Sequence, residues 1–264
     1  MSSENLEIYL NSKTATQYLD NNVADCIFTI PNIEIDILKE DVYVGVRNAV
    51  LPYSWYVVNS TNNKLDLTID GTAYSISIPL GNYNVNTLAT QLKTEIDNLQ
   101  TQHGHDGALT ITYLGKLNKY YFFHSHHQFS FLSTSTCLEL LGFKDGQTYI
   151  SSALPFQTQK QELTSTIGIN LFVVRAVYVN SNNFILQNIN SSTPSNAGIL
   201  ASISVTGNPN SIIHYENTTA KHKIHTLNNI NNLHIKLTDQ DGDILELNSI
   251  NWSMTLELTI ISKK

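Results

Sequence analysis

Two histidine clusters have residue types that could do acid–base or metal chemistry: His103-x-His105-Asp106 and His124-x-His126-His127. Closely spaced imidazoles can converge on one transition metal when a strand or tight loop presents them together. A cupin-type centre also needs a glycine a few residues before His-x-His and a glutamate shortly after it. Neither cluster has that context, and both are expected in loops, where polar residues need no special reason. Asp239-Gln240-Asp241-Gly242-Asp243 begins like a calcium loop, since alternate carboxylates can converge on a hard cation. The twelfth-position glutamate is missing. LHIKLT before the run and ILELN after it instead predict a hairpin whose turn leaves Asp239, Asp241 and Asp243 solvated. The chain contains no G-x-S-x-G, P-loop, G-x-G-x-x-G or paired His–Cys arrangement, so its motifs specify neither a catalytic set nor a cofactor.

The two arginines, Arg47 and Arg175, each interrupt a strongly apolar run, and in an extended strand Arg175 would share a face with Val173, Val177 and Val179. A charge on such a face must be paired or lie at a wet boundary, which means either an intramolecular ion pair or a subunit interface, where arginine is enriched. Tyr53, Trp55 and Tyr56 offer large surfaces with polar tips. They suit either an anchor for a partner or a plug at one end of a sandwich.

These residues sit in a chain of 264 residues with 41% hydrophobic and 14% charged side chains, enough apolar surface for a folded core. The net charge of -7 leaves no basic stripe, which argues against direct nucleic-acid binding. Cys26 and Cys137 are far apart, so the cysteines suggest neither a disulfide framework nor a thiolate metal site and fit a reducing compartment. The N-terminal residues lack the basic and apolar regions of a secretory signal, and no stretch of about 18 uncharged apolar residues occurs. A soluble, non-secreted protein without membrane insertion is therefore expected. Four N-x-S/T triplets, at Asn59, Asn190, Asn217 and Asn251, are attributed to the abundance of Asn, Ser and Thr.

Residues 1–22 are polar, without sustained periodicity, and read as an N-terminal arm. From Cys26 the pattern becomes strand-like: Cys26, Phe28 and Ile30 alternate with polar neighbours, and Ile33, Ile35 and Ile37 resume beyond Pro31, which marks an edge or bulge. DVYVGVRNAVLPYSWYVVN is too long for one regular strand and should bend at Pro52. KLDLTIDGTAYSISIP predicts a hairpin around a type I′ Asp70-Gly71 turn. Val85, Leu88, Leu92, Ile96 and Leu99 recur at helical spacing behind the cap residue Asn84. LTITYLGKLNKYYFF reads as a second hairpin turning near Gly115, and SFLSTSTCLELLGF as a short helix with Thr136 and Glu139 in a capping box and Gly142 as its stop. INLFVVRAVYVNS, ILASISV, IIHYEN, KIHTL, LHIKL, DILEL and WSMTLELTII follow as short strands. With the first two strands they make about eight, as a jelly roll requires. The predicted fold is mainly β: a jelly-roll β-sandwich of residues 23–60 plus 159–264, with an inserted α+β subdomain over 61–158.

The run VGVRNAVLPYSWYVVNSTNNKL, the hairpin after it, IPLGNYNVNTLATQL, the KYYFF strand and the LELLGF turn follow one another in an order that resembles the penton (minor capsid) proteins of virophages, Polinton-like viruses and some large DNA viruses. The similarity spans roughly residues 40 to 260, and IP-x-GNYN with its amphipathic helix is its most specific part. The resemblance implies a non-enzymatic structural protein of the virion, in which five copies of an upright jelly roll ring a capsid vertex and a further domain can project outward. Its implied partners are itself as a homopentamer, a double jelly-roll major capsid protein and other minor capsid proteins, with assembly in the host cytoplasm or virus factory. Closed cyclic symmetry requires a heterologous contact, for which Arg47, Arg175, Tyr43 and Tyr178 are the candidates, with Tyr53, Trp55 and Tyr56 as a possible partner anchor. Two other readings make different predictions. A jelly-roll fibre or lectin-like module would bind host glycans, with calcium at Asp239, Asp241 and Asp243, and a cupin-like metalloenzyme would use His124, His126 or His127.

Overall fold

A computed structural model describes residues 3–36, 38–184, 186, 198–224 and 229–263. In chain order the strands begin with β1 (Ser3–Asn11), β2 (Gln17–Tyr18), β3 (Asp25–Glu34) and β4 (Glu40–Pro52). Next come β5 (Lys64–Ile69), β6 (Thr72–Ser77), helix α1 (Val85–His103), β7 (Leu109–Leu114), β8 (Lys119–His124), β9 (Phe129–Phe131), β10 (Tyr149–Ile150), β11 (Ser152–Leu154) and β12 (Gln157–Thr164). The chain closes with β13 (Ala176–Ser181), β14 (Ile199–Ser204), β15 (Ile212–Glu216), β16 (His222–Lys223), β17 (Asn229–Thr238) and β18 (Ser253–Ser262).

The chain forms two compact units, Met1–Trp55 with Val174–Lys264, and Tyr56–Val173. The first is a jelly-roll sandwich. One sheet runs β1-β18-β4-β15, with β16 also on β4, and the other runs β14-β13-β17-β3-β2. Antiparallel ladders join β3 to β17 in one sheet and β4 to β18 in the other. Two long chain arms therefore stay paired as they pass from sheet to sheet, and their inner faces close over one core. Strand alternation sets which residues enter it: Val42, Val44 and Val46 of β4 and Leu256 and Leu258 of β18 point inward, together with Leu233, Ile235 and Leu237 of β17.

Several local predictions are met with a physical reason. Opposite Pro31 the β3–β17 register passes from Thr29↔Asn232 to Ile33↔Ile230, so the proline lies in a bulge and costs no ladder bond. β4 ends at Pro52. Asp70 and Gly71 both have positive φ, 47° and 79°, as the type I′ turn between β5 and β6 demands.

Other expectations need correction. The proposed arm is instead largely β-structured: Ser3–Asn11 form β1 along β18, with Ile8 and Leu10 buried in the first core. The alternation Leu6, Ile8, Leu10 is real but only three residues deep. Arg175 does not sit on the buried face with Val177 and Val179, because β13 begins after it and leaves it exposed. The Asp239 run does form the expected turn, closed by a single antiparallel bridge, Thr238↔Ile244, but DILEL forms no strand beyond it. Ile37, most of the KIHTL strand and the Asn190 triplet lie outside the described residues.

The second unit has its own core, built from two sheets, β10-β9-β5-β6 and β11-β12-β8-β7, and α1. Asn84 caps α1 by accepting the N–H groups of Asn86 and Thr87, and Gly104 ends it in the left-handed region. Its buried stripe is Leu88, Leu92, Ile96 and Leu99, with Val85 partly buried at the first turn. This unit is wider than the 61–158 segment read from the sequence, since Val57, Val58 and Ile169 join its core and β12 pairs with β8. The predicted helix over CLELL is a single 3₁₀ turn, Glu139–Leu141, without a capping box. The Thr136 hydroxyl accepts the Lys64 N–H of β5 instead, at 3.1 Å.

Candidate functional site

The candidate interface residues fall on two different sheets of the first unit. Tyr43 and Arg47 belong to β4, and Tyr178 belongs to β13. Arg175 lies exposed just before β13, so the four predicted residues do not form one cluster.

On the β4 side, the register steps from Val46↔Leu256 to Asn48↔Thr255, which makes Arg47 the extra residue of a bulge and turns it outward. Its guanidinium is ion-paired with Glu7 of β1, and Glu7 also accepts the Tyr9 hydroxyl. The intramolecular pair weighed from the sequence is thus present. Nearby, Lys221 donates to Glu257 at 2.8 Å and to Thr259 Oγ1 at 2.6 Å, and Thr259 donates to Asn5 at 2.7 Å. Asp41 pairs with Lys223 at 2.9 Å and with Lys263 at 3.6 Å, and the Lys223 hydrogen bond holds its carboxyl below the usual range. A polar, charge-compensated strip therefore runs along the outer face of this sheet. Over it lies a loop that the sequence did not reveal: a Cβ on Gly45 would approach the Ala220 carbonyl to 2.6 Å, so only glycine lets this loop pack against β4.

Because Arg47 and Glu7 have side chains 48% and 30% exposed, their attraction is screened. Arg47→Ala should therefore cost less than about 1 kcal/mol in thermal unfolding. A loss above 2 kcal/mol would mean that the pair carries structure as well as charge.

Tyr53 and Trp55 stack at 4.4 Å between ring centroids and are buried in the first core, and burial pushes the Tyr53 phenol up. Both rings are therefore packed inside the first unit. Tyr56, which begins the second unit, is 37% exposed.

The Asp239 carboxylate is used locally, its Oδ1 accepting the backbone N–H groups of Asp241 at 2.9 Å and Asp243 at 3.0 Å across a turn with Gly242 at φ 94°. Burial, the larger cause, and the two neighbouring carboxylates raise its pKa. Among the described residues no three His, Cys, Asp or Glu side chains are arranged to hold a metal ion. In the histidine clusters, His124 is buried and its Nδ1 accepts the N–H groups of His126 and His127. Cys26 and Cys137 are free and buried, and desolvation pushes both thiols up to about 12. No described helix is long and apolar enough to cross a membrane.

The described interface candidates are thus a set of surface residues, and comparison with known proteins bears on the scaffold that carries them. The crystal structure of the mavirus penton protein superposes with a TM-score of 0.55 at 11% identity, covering 100% of both chains, which shows a shared fold. A chain in the cryo-EM structure of the Sputnik virophage aligns over 99% of this chain and 98% of its own, at 12% identity and a TM-score of 0.40. By sequence, an uncharacterized protein of Acanthamoeba polyphaga mimivirus is 25% identical over 99 residues. That match spans 31% of this chain and 16% of the mimivirus protein. No family model matches.

Proposed function

We propose that this chain is a structural capsid protein that forms the vertex of an icosahedral virus or virophage particle as a homopentamer seated among double jelly-roll major capsid proteins. One observation carries the reading: the whole chain, both units included, shares its fold with a penton protein. The absence of a catalytic motif in the sequence fits a protein that works by assembly and not by chemistry.

A ring needs each copy to offer two different surfaces. The candidates for them are the Tyr43–Arg47 side of one sheet and the Tyr178 side of the other. Arg47 already has an internal partner in Glu7, so the pair would enter an interface as a neutral unit, which lowers the desolvation cost of burying it.

The test is native mass by light scattering over a concentration series, alone and mixed with major capsid protein. Five protomers of 29.5 kDa, about 148 kDa, or a ring that closes only in the mixture, is the expected result. A chain that stays monomeric and does not bind in the mixture would overturn the reading.

A further inference from the structure

At one end of the second unit three loops meet around a single imidazole. His127, in the loop between β8 and β9, directs Nδ1 at a carboxylate oxygen of Asp70 in the β5–β6 turn. Its Nε2 lies 2.7 Å from the carboxylate of Asp106 in the α1–β7 loop. A carboxylate can only accept, so both contacts are hydrogen bonds only when both ring nitrogens carry protons. We propose that His127 is a proton-operated clamp, closed as an imidazolium between Asp70 and Asp106 and released when it loses a proton, that ties the β5–β6 turn, the α1–β7 loop and the β8–β9 loop together.

Three further imidazoles surround the His127 ring. The ring of His124 is centred 5.2 Å from that of His127, that of His105 5.4 Å and that of His126 6.4 Å. His124 must be neutral, because its Nδ1 accepts the backbone N–H groups of His126 at 3.1 Å and His127 at 2.8 Å. Its Nε2 then carries the hydrogen, and the Gln100 side-chain amide of α1, 2.6 Å away, accepts it when the amide is turned to present its oxygen to the ring. Burial first, and then the charges of His127 and His126, push its pKa down to about 4. His105 Nε2 meets the Tyr74 hydroxyl of β6 at 2.7 Å, and His126 Nδ1 meets Ser125 at 2.9 Å. Each described ring nitrogen contact is therefore made within the protein.

The pH dependence follows from which form holds the clamp. Both carboxylates are hydrogen-bonded only to the doubly protonated ring, and loss of either ring proton removes one of the two contacts. At the acid end, the His127 hydrogen bond holds the Asp106 carboxyl below the ordinary range, so that side of the clamp outlasts the protonation of His124 at a pH of about 4. The loops should be most tightly held in mild acid.

Two measurements test the clamp. In the unmodified protein, the ring ¹⁵N shifts of His127 should report two protonated nitrogens at pH 5.5 and one at pH 8.5. Hydrogen exchange, corrected for the intrinsic effect of pH, should show roughly tenfold less protection of residues 103–108 and 124–128 at pH 8.5 than at pH 5.5. In H127Q that difference should vanish, and in D106N, whose carboxylate is 78% exposed, it should shrink without threatening the fold. A neutral His127 at pH 5.5, or the same pH response in D106N as in the unmodified protein, would overturn the proposal even if H127Q did not fold.

Discussion

Phe122→Ala should cost the second unit about 3–5 kcal/mol, with the helix signal lost at lower denaturant than the tryptophan signal. Phe122 is fully buried on β8, between β7 and β12, and its ring packs edge-on against Tyr120 at 6.0 Å and Phe131 at 5.0 Å, and tilted against Phe143 at 6.0 Å. Rings held by one another and by the two strands flanking β8 cannot collapse into the space, so the cavity term adds to the lost transfer energy. The chain supplies separate reporters. Both tryptophans, Trp55 and Trp252, belong to the first unit, whereas α1 belongs to the second. Ellipticity at 222 nm therefore follows the damaged unit and indole fluorescence the other. Phe122→Leu, which nearly conserves volume, should cost less than about 1.5 kcal/mol. Equal shifts of both signals in Phe122→Ala would show that the cores do not melt separately, and a loss under 1 kcal/mol would show that the aromatic cluster repacks.

Local rules made the second unit readable. Asp70-Gly71 prescribes its turn whatever surrounds it, because few residues other than Gly, Asn and Asp accept positive φ cheaply. The stripe of Leu88, Leu92, Ile96 and Leu99 is four contacts long and bounded by a cap at each end, so helical periodicity outweighs chance. The CLELLGF segment misled because Thr136 and Glu139 have capping-box spacing, yet the hydroxyl of Thr136 is taken by a strand 72 residues earlier. Such competition between a local and a long-range partner is invisible to a local pattern.

The site residues show the same division. Arg47 was recognisable as a charge in an apolar strand that must be satisfied, but its partner Glu7 lies 40 residues away in a segment that read as an arm. The pairing becomes visible only when β1 and β4 are seen on either side of β18. Likewise the histidine clusters were evident as spacings, while Asp70, which completes the clamp, was evident only as a turn residue. One side chain served both local geometry and a distant contact, and sequence spacing reports the first alone.

The N-terminal segment also yields the second large effect, through Trp252. Its indole is 2% exposed, packs edge-on against Phe28 at 5.8 Å and donates Nε1–H to the Val23 carbonyl at 2.7 Å. Its backbone closes the β1–β18 ladder: Ser12 N–H donates to the Trp252 carbonyl at 3.0 Å, and Trp252 N–H donates to Ser12 Oγ at 2.9 Å. Residues 12 and 23 are thus fixed to one side chain and its own backbone, so a polar segment with three apolar anchors holds a defined place. Trp252→Ala should cost about 3–5 kcal/mol, seen in the denaturation midpoint of the remaining Trp55, and should raise amide exchange in residues 3–22 more than in β13 or β17. Trp252→Phe keeps much of the buried ring but leaves the Val23 carbonyl with only the weak thiol donor of Cys26, at 3.0 Å, so a further loss of about 1 kcal/mol is expected from that group. If exchange in residues 3–22 did not change in Trp252→Ala, the β1–β18 ladder would be what holds the segment, and the indole would be only a core residue.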